Sequence, residues 1–249
     1  MKYLNSFETN QDYSTWKNSE MWVTPNVAVI KDSNDVTFNP YIPPVSDPYN
    51  GYEYVDLGLP SGTLWAKCNV GGSSESDYGL YFAWGEVEGY KDASSGKEFS
   101  GDDYKWNEGE WQCDGSSYIK YTSSDNLTTL LPEDDAASVK MGGSWHMPSK
   151  EQFEELINTS YTTTTWTTRN GIKGRLITSK TNNNTLFLPA SGYCVWGSVG
   201  NLGSYGCYWS SSLSEDNPSY AWYLYFDSGN INVYDGDRCY GHTVRGVVG

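Results

Sequence analysis

Positive charge is scarce in this chain, and several residue types are missing from its C-terminal end. The sequence has 16 Lys and Arg against 31 Asp and Glu, which gives a formal net charge of −15. The last lysine is Lys180, and no Lys, Glu, Gln or Met follows Glu215. Because nucleic acids and anionic membranes bind through clustered Lys and Arg, this composition argues against both as partners.

Long apolar runs are absent as well. No stretch approaches the roughly 20 apolar residues of a membrane-spanning helix, and the opening MKYLNSFETNQDY lacks the apolar segment of a secretory signal. We therefore expect neither membrane insertion nor export by such a signal. A chain from which a signal peptide had been removed would look the same, so that alternative stays open.

The cysteines show no metal-ligand or redox spacing. Cys68, Cys113, Cys194, Cys207 and Cys239 are far apart, without a CxxC pair or a Cys/His cluster. We expect reduced thiols, with one disulfide as the alternative.

Candidate catalytic groups are equally few. The two histidines are His146, which we assign to the scaffold, and His242, which we interpret as a ligand contact rather than a general base. The serines at 210–212 lack the G-x-S-x-G setting of a nucleophile elbow. The sequence therefore predicts a protein that is not an enzyme.

The chain divides near residue 48. The segment NPYIPPVSDPYNG cannot continue regular structure and is typical of a linker. Before it, VTPNVAVIKDSNDVTFNPY predicts a hairpin. We interpret residues 1–48 as a small β element for attachment or oligomerisation, with a trimer as the state considered. A strand pair packed on the main domain, residues 49–249, is the alternative.

The main domain has the pattern of an α+β protein with short strands, long loops and one or two helices. Short β segments alternate with Gly/Ser turns throughout. The clearest helix is PSKEQFEELI, in which Ser149 can cap the N-terminus and Phe153, Leu156 and Ile157 share one face.

A second local prediction comes from the segment YAWYLYF. Side chains of a strand alternate between its two faces. Trp222, Leu224 and Phe226 are therefore expected in the core, and Tyr223 and Tyr225 on the opposite face, open to solvent or to a partner.

Several segments carry a resemblance to a known family. VDLGLPSGTLWAKCNVG, DYGLYFAWGEV, SWHMPSKEQFEELI, LPASGY, YWSSS, AWYLYF and a closing R-x-x-G-x-x-V-R occur in order over about residues 51–249. Together they resemble the Fibrobacter succinogenes major paralogous domain family, which is similar to the formylglycine-generating-enzyme branch of the C-type lectin fold. The opening segment resembles, less specifically, structural proteins from phages of gut Bacteroides-like hosts.

The resemblance implies a diversified surface. Members of this fold serve as variable proteins of diversity-generating retroelements, where mutagenesis of template adenines converts Asn codons to a restricted set that never includes Lys, Glu, Gln, Met or Trp. Trp196, Trp209 and Trp222 would then belong to the scaffold. Set against the family pattern, the expected ligand-binding positions are Cys194, Val195, Tyr205, Cys207, Tyr223, Tyr225, Asn230, Asn232, Tyr234, Asp235, Gly236, Asp237, Cys239, Tyr240 and His242.

The expected function is recognition of a host. The favoured hypothesis is a receptor-binding protein on a virion, at the phage tail or capsid surface, that contacts a host cell-surface protein or glycan. The alternative is a bacterial surface or secreted adhesion domain with a fixed ligand. No cofactor is expected, because the calcium-binding tripeptides of sugar-binding lectins are absent. Acidic turns such as SEDNPS and DGD keep calcium as a minor alternative.

Overall fold

Short strands and four small sheets make up most of the structure. The computed structural model describes residue 47 and residues 49–92, 96–108 and 113–249. The expected attachment element at residues 1–48 therefore lies outside the described residues, apart from residue 47.

Within the described part, thirteen strands, two α-helices and one 3₁₀ helix alternate with loops. The α-helices are α1 (Ala136–Met141) and α2 (Lys150–Leu156), and the 3₁₀ helix is Pro132–Asp134. The strands are β1 (Tyr54–Asp56), β2 (Leu64–Ala66), β3 (Tyr81–Phe82), β4 (Thr162–Arg169), β5 (Ile172–Ser179), β6 (Thr185–Pro189), β7 (Tyr193–Val195), β8 (Ser198–Gly200), β9 (Gly206–Leu213), β10 (Tyr220–Phe226), β11 (Ile231–Asp237), β12 (His242–Thr243) and β13 (Val247–Val248). The expected α+β class with short strands is confirmed.

The central sheet has the order β11-β10-β9-β12-β3. It is antiparallel except between β9 and β12. Three smaller sheets, β1-β2-β13, β4-β5-β6 and β7-β8, surround it. No helix in the described residues is long and apolar enough to cross a membrane.

Helix α2 forms as its sequence predicts. Ser149 and Gln152 make a reciprocal capping box, in which each side chain accepts a backbone N–H of the other residue and so satisfies donors that the first turn leaves free. Phe153 and Leu156 are buried, and Phe153 packs against Trp65 with ring centroids 5.6 Å apart. The predicted face of this helix is therefore its core face.

The central sheet packs a core on each side. Consecutive residues Tyr208 and Trp209 of β9 are both buried but belong to different clusters, as strand alternation requires. Leu224 and Phe226 lie with Tyr208, as predicted. Trp222 packs on the same cluster but is only half-buried.

The two arginines of the closing motif connect the end of the chain to strands and loops that are distant in sequence. Arg245 is fully buried and donates to the carbonyl oxygens of Ala66, Lys67 and Phe187 at 3.0, 2.9 and 3.1 Å. Arg238, also buried, donates to the carbonyl oxygens of three loop residues at 2.9–3.0 Å. Each guanidinium thus provides several hydrogen bonds to carbonyl oxygens of segments that lie far away in sequence.

A disulfide joins Cys113 to Cys239 across 126 positions of sequence, with Cα atoms 6.2 Å apart. The expectation that all five cysteines are reduced is therefore wrong, and its single-disulfide alternative is correct. Cys194 and Cys207 are free and buried, and Cys68 is free and half-buried.

Candidate functional site

One face of the central sheet carries a contiguous group of tyrosines. Tyr223 and Tyr225 share a face of β10, and Tyr234 lies directly opposite Tyr223 on β11. Ring centroids are 5.9 Å apart between Tyr225 and Tyr234, and 5.3 Å apart between Tyr225 and Tyr205, which lies just before β9. We call Tyr205, Tyr225 and Tyr234, with the flanking Asn230 and Asn232, the tyrosine face.

Local hydrogen bonds hold the tyrosine face in place. Asp227 accepts the backbone N–H of Asn230 at 2.8 Å and the Tyr225 hydroxyl at 2.9 Å, so one carboxylate fixes both the β10–β11 turn and a ring. Arg175 donates to the Asp227 and Asn230 carbonyl oxygens at 3.0 and 2.9 Å. Tyr234 is 40% exposed, and Asn230 and Asn232 are exposed. The Tyr225 ring and the β10–β11 turn are thus held in place by the protein itself, and such preorganisation lowers the entropic cost of binding.

A buried aromatic group lies beside the tyrosine face, on the same side of the sheet. His242 stacks on Trp209 with ring centroids 4.0 Å apart, and Tyr223 packs against both rings at 4.7 and 5.7 Å. Burial lowers the pKa of His242 to about 3 and raises that of Cys207 to about 12, so both side chains are neutral at physiological pH. The Nδ1 atom of His242 has no hydrogen-bond partner among the described residues.

A second concave region adjoins the β10–β11 sheet at the opposite end of β11. It is a cavity of about 350 Å³, lined by Cys113, Asp114, Trp196, Asn217, Ser219, Tyr220, Asp237 and Tyr240. We call it the Trp196 cavity. The Cys113–Cys239 disulfide fixes one wall, and Arg238 fixes another through the Pro218 carbonyl oxygen at 2.9 Å.

Trp196 reaches this cavity from an unfavourable backbone position. Val195 pairs with Ser198, so Trp196 and Gly197 form a two-residue hairpin turn with φ of +49° and +66°. Such turns favour Asn-Gly, and a left-handed conformation costs a bulky residue about 1–2 kcal/mol. Trp196 is also 56% exposed, so its ring lies outside the core.

The structure divides the predicted site residues into three groups. Tyr205, Tyr225, Asn230, Asn232 and Tyr234 come together on the tyrosine face. Asp237 and Tyr240 line the Trp196 cavity. The remaining predicted residues are buried, half-buried beside the face, or turned to its other side: Cys194, Val195, Cys207, Tyr223, Asp235, Gly236, Cys239 and His242.

Several of these residues need correction as direct contacts. Cys194, Cys207, Cys239 and His242 are at most 4% exposed, so their side chains have almost no surface to offer a ligand. Cys194 belongs to a buried cluster with Tyr81 and Phe99, and Cys239 is in the disulfide.

Three further predicted residues have local structural roles. Asp235 accepts the Ser214 hydroxyl at 2.7 Å on the side of the sheet that holds Trp222. Tyr223, expected to face solvent, is half-buried against Trp209 and His242. A Cβ on Gly236 would meet the Tyr223 ring at 3.1 Å, so this glycine gives the ring its room.

Sequence reasoning missed Trp196, Tyr220, Asn217 and Asp114 of the cavity. The Trp-Gly pair at a turn was a usable signal, because an apolar ring at a tight turn cannot easily turn inward. Within the described residues, no group of three or more His, Cys, Asp and Glu side chains could hold a metal ion, so the calcium alternative finds no such group there.

Comparison with known proteins gives one partial match. The model of a family described as a domain of unknown function (DUF8237) matches residues 176–247, which run from within β5 to the start of β13 and include the tyrosine face. No curated protein and no solved structure matches the chain.

Proposed function

We propose that this protein is a non-enzymatic ligand-binding protein that uses the tyrosine face as its recognition surface. The contiguous, ordered group of tyrosines with an Asn rim is the observation that carries the proposal. Tyrosine offers a large contact area at a small cost in side-chain entropy, and Asn and Gly adapt to varied partners. Antibody-like surfaces use this mixture, and Tyr is enriched among residues that dominate binding energy.

We further propose that the surface is diversified and that its scaffold has a C-type lectin-like fold. The family resemblance supports the fold assignment, and the absence of Lys, Glu, Gln and Met after Glu215 supports diversification by adenine mutagenesis. The position of the tyrosine face is compatible with both. Its exposed side chains make none of the hydrogen bonds of Arg238 and Arg245 and do not belong to the core. They can therefore be exchanged without loss of the fold.

The proposed setting is the surface of a phage, where the face binds a host cell-surface protein or glycan. Many copies on one virion would multiply weak single-site binding through effective concentration. The competing hypothesis is a bacterial surface adhesion domain with a fixed ligand. A template repeat beside a reverse-transcriptase gene would favour the first, and an export signal encoded upstream would favour the second.

The test is binding of fluorescent, multimerised protein to candidate host cells. The combined variant Tyr205→Ser, Tyr225→Ser and Tyr234→Ser should lose at least tenfold in cell binding while its melting temperature stays close to that of the wild type. The matched control is Tyr52→Ser with Tyr54→Ser, two tyrosines with 42% and 43% exposure that lie outside the tyrosine face. Equal binding by both variants would refute the proposal.

A further inference from the structure

The Trp196 cavity combines aromatic rings with carboxylates. Trp196, Tyr220 and Tyr240 supply the rings, and Asp114 and Asp237 supply the acids, while its lining contains no Lys or Arg. Aromatic faces attract cations through the negative charge on the ring face, and nearby carboxylates add a direct Coulomb attraction.

The arginine next to Asp237 in sequence makes hydrogen bonds elsewhere. Arg238 follows Asp237 directly in sequence, but its guanidinium is fully buried and donates to the Tyr104 hydroxyl and to three loop carbonyl oxygens. It therefore stabilises the loops behind the cavity. Of the lining carboxylates, Asp237 accepts the Tyr240 hydroxyl and Asp114 accepts the backbone N–H of Ser116 at 2.9 Å, and neither of these neutral donors compensates the negative charge.

The lining is also built to hold its shape. Ser219 donates its hydroxyl to the Asp114 carbonyl oxygen at 2.5 Å and its backbone N–H to the Asn217 side chain at 3.1 Å. The backbone N–H of Gly197 donates to the Glu98 carbonyl oxygen at 2.8 Å, which fixes the turn that carries Trp196. A large ring kept exposed on a strained turn is the type of feature that occurs at binding sites.

From these observations we propose that the Trp196 cavity is a subsite for the guanidinium or ammonium group of an Arg or Lys side chain on a partner protein. The inference deepens the proposed function, on which it rests, by naming the chemical group that one part of the recognition surface takes. Trp196, at the exposed rim, covers the cation with its ring, and the half-buried Asp237 pairs with it. The overall acidity of the chain, −15, favours approach of such a partner.

The experiment titrates ¹⁵N-labelled protein with N-acetyl-arginine N-methylamide and with its citrulline analogue, which has nearly the same shape without the charge. The arginine probe should shift the Trp196 indole N–H signal saturably and should bind at least tenfold more tightly than citrulline. Asp237→Asn should weaken the arginine probe at least tenfold. Equal binding of the two probes, or full binding by Asp237→Asn, would overturn the inference.

Two further variants distinguish the contribution of the Trp196 ring to probe binding from effects on the stability of the fold and from any contribution of the tyrosine face. Trp196→Asn creates the Asn-Gly pair that this turn favours, so it should keep or raise the melting temperature while it weakens the arginine probe at least fivefold. Tyr234→Ser, outside the cavity lining, should bind the probe like the wild type. Undiminished binding by Trp196→Asn would contradict the subsite.

The outcomes distinguish the subsite from the proposed function. If the serine variants of the tyrosine face lose host binding but the arginine probe does not bind, the subsite is wrong and the proposed function stands. If the arginine probe binds as described but those variants still bind host cells, the proposed function is wrong. A saturable shift with a neutral methyl glycoside in place of the arginine probe would assign the cavity to glycans and reject the cation subsite.

Discussion

Acidification should destabilise this protein through His242, a residue that the sequence suggested as a ligand contact. The imidazole is buried, stacked on Trp209 and packed against Tyr223. Burial lowers its pKa to about 3 in the folded protein, whereas a histidine in an unfolded chain titrates near 6.5. Between these values the unfolded chain binds a proton that the folded protein does not.

The sign and size of the effect follow from this difference. The contribution of a histidine with a lowered pKa is complete above pH 6.5 and is lost as the pH falls toward 3, because the unfolded state gains the proton first. One pH unit corresponds to about 1.4 kcal/mol. Between pH 7.5 and pH 5.0, His242 should therefore cost about 2 kcal/mol of unfolding free energy.

The assay is urea denaturation at pH 7.5 and pH 5.0, followed by tryptophan fluorescence, for the wild type and for His242→Phe. Phenylalanine keeps an aromatic ring on Trp209 but has no titrating group. The wild type should lose about 2 kcal/mol more than the variant between the two pH values. The carboxylates and His146 are present in both proteins, so their contributions cancel. Identical losses in the two proteins would refute the burial of a neutral His242.

Three other sets of substitutions test the burial of Tyr223, the Cys113–Cys239 disulfide and the hydrogen bonds of Arg245. Tyr223→Ser should cost about 2–4 kcal/mol of unfolding free energy because its ring packs on buried neighbours, whereas Tyr234→Ser should cost under about 1 kcal/mol; a reversed order in urea denaturation would contradict the assigned faces. Replacing both Cys113 and Cys239 by Ser should cost about 2–5 kcal/mol, and thiol titration of the denatured, unreduced wild type should find three thiols. Arg245→Met should cost more than about 3 kcal/mol because two buried carbonyl oxygens and a partly buried one lose their donor; wild-type stability in a thermal melt would show that these hydrogen bonds are not needed.

Patterns with a local physical cause were predictable from the sequence. Helix α2 was predicted because capping and one-sided burial are encoded within a few residues, Ser149 to Leu156. Strand alternation likewise predicted the faces of Leu224, Tyr225 and Phe226, because the period of a strand does not depend on the rest of the fold.

The residues that pack against each face of a strand were not predictable in the same way. Alternation places Tyr223 on one side of the sheet but does not indicate that the rings of Trp209 and His242 pack against it there. The pairing of Cys113 with Cys239 depends on loop positions far apart in sequence, so five cysteines alone could not identify it. The exposure of Trp196 was not predicted, because its exclusion from the restricted residue set does not indicate whether its side chain is buried.

The central claim is a diversified binding surface, and the most direct test is to sequence the DNA around the gene and search for an imperfect copy of its 3′ end. The account predicts a repeat that differs where the copy has adenine, with the differences at the codons of Tyr205, Tyr225, Asn230, Asn232 and Tyr234 and none at those of Arg238 and Arg245. Flanking DNA without such a repeat, or a repeat whose differences fall on the arginine anchors and the buried core, would contradict it.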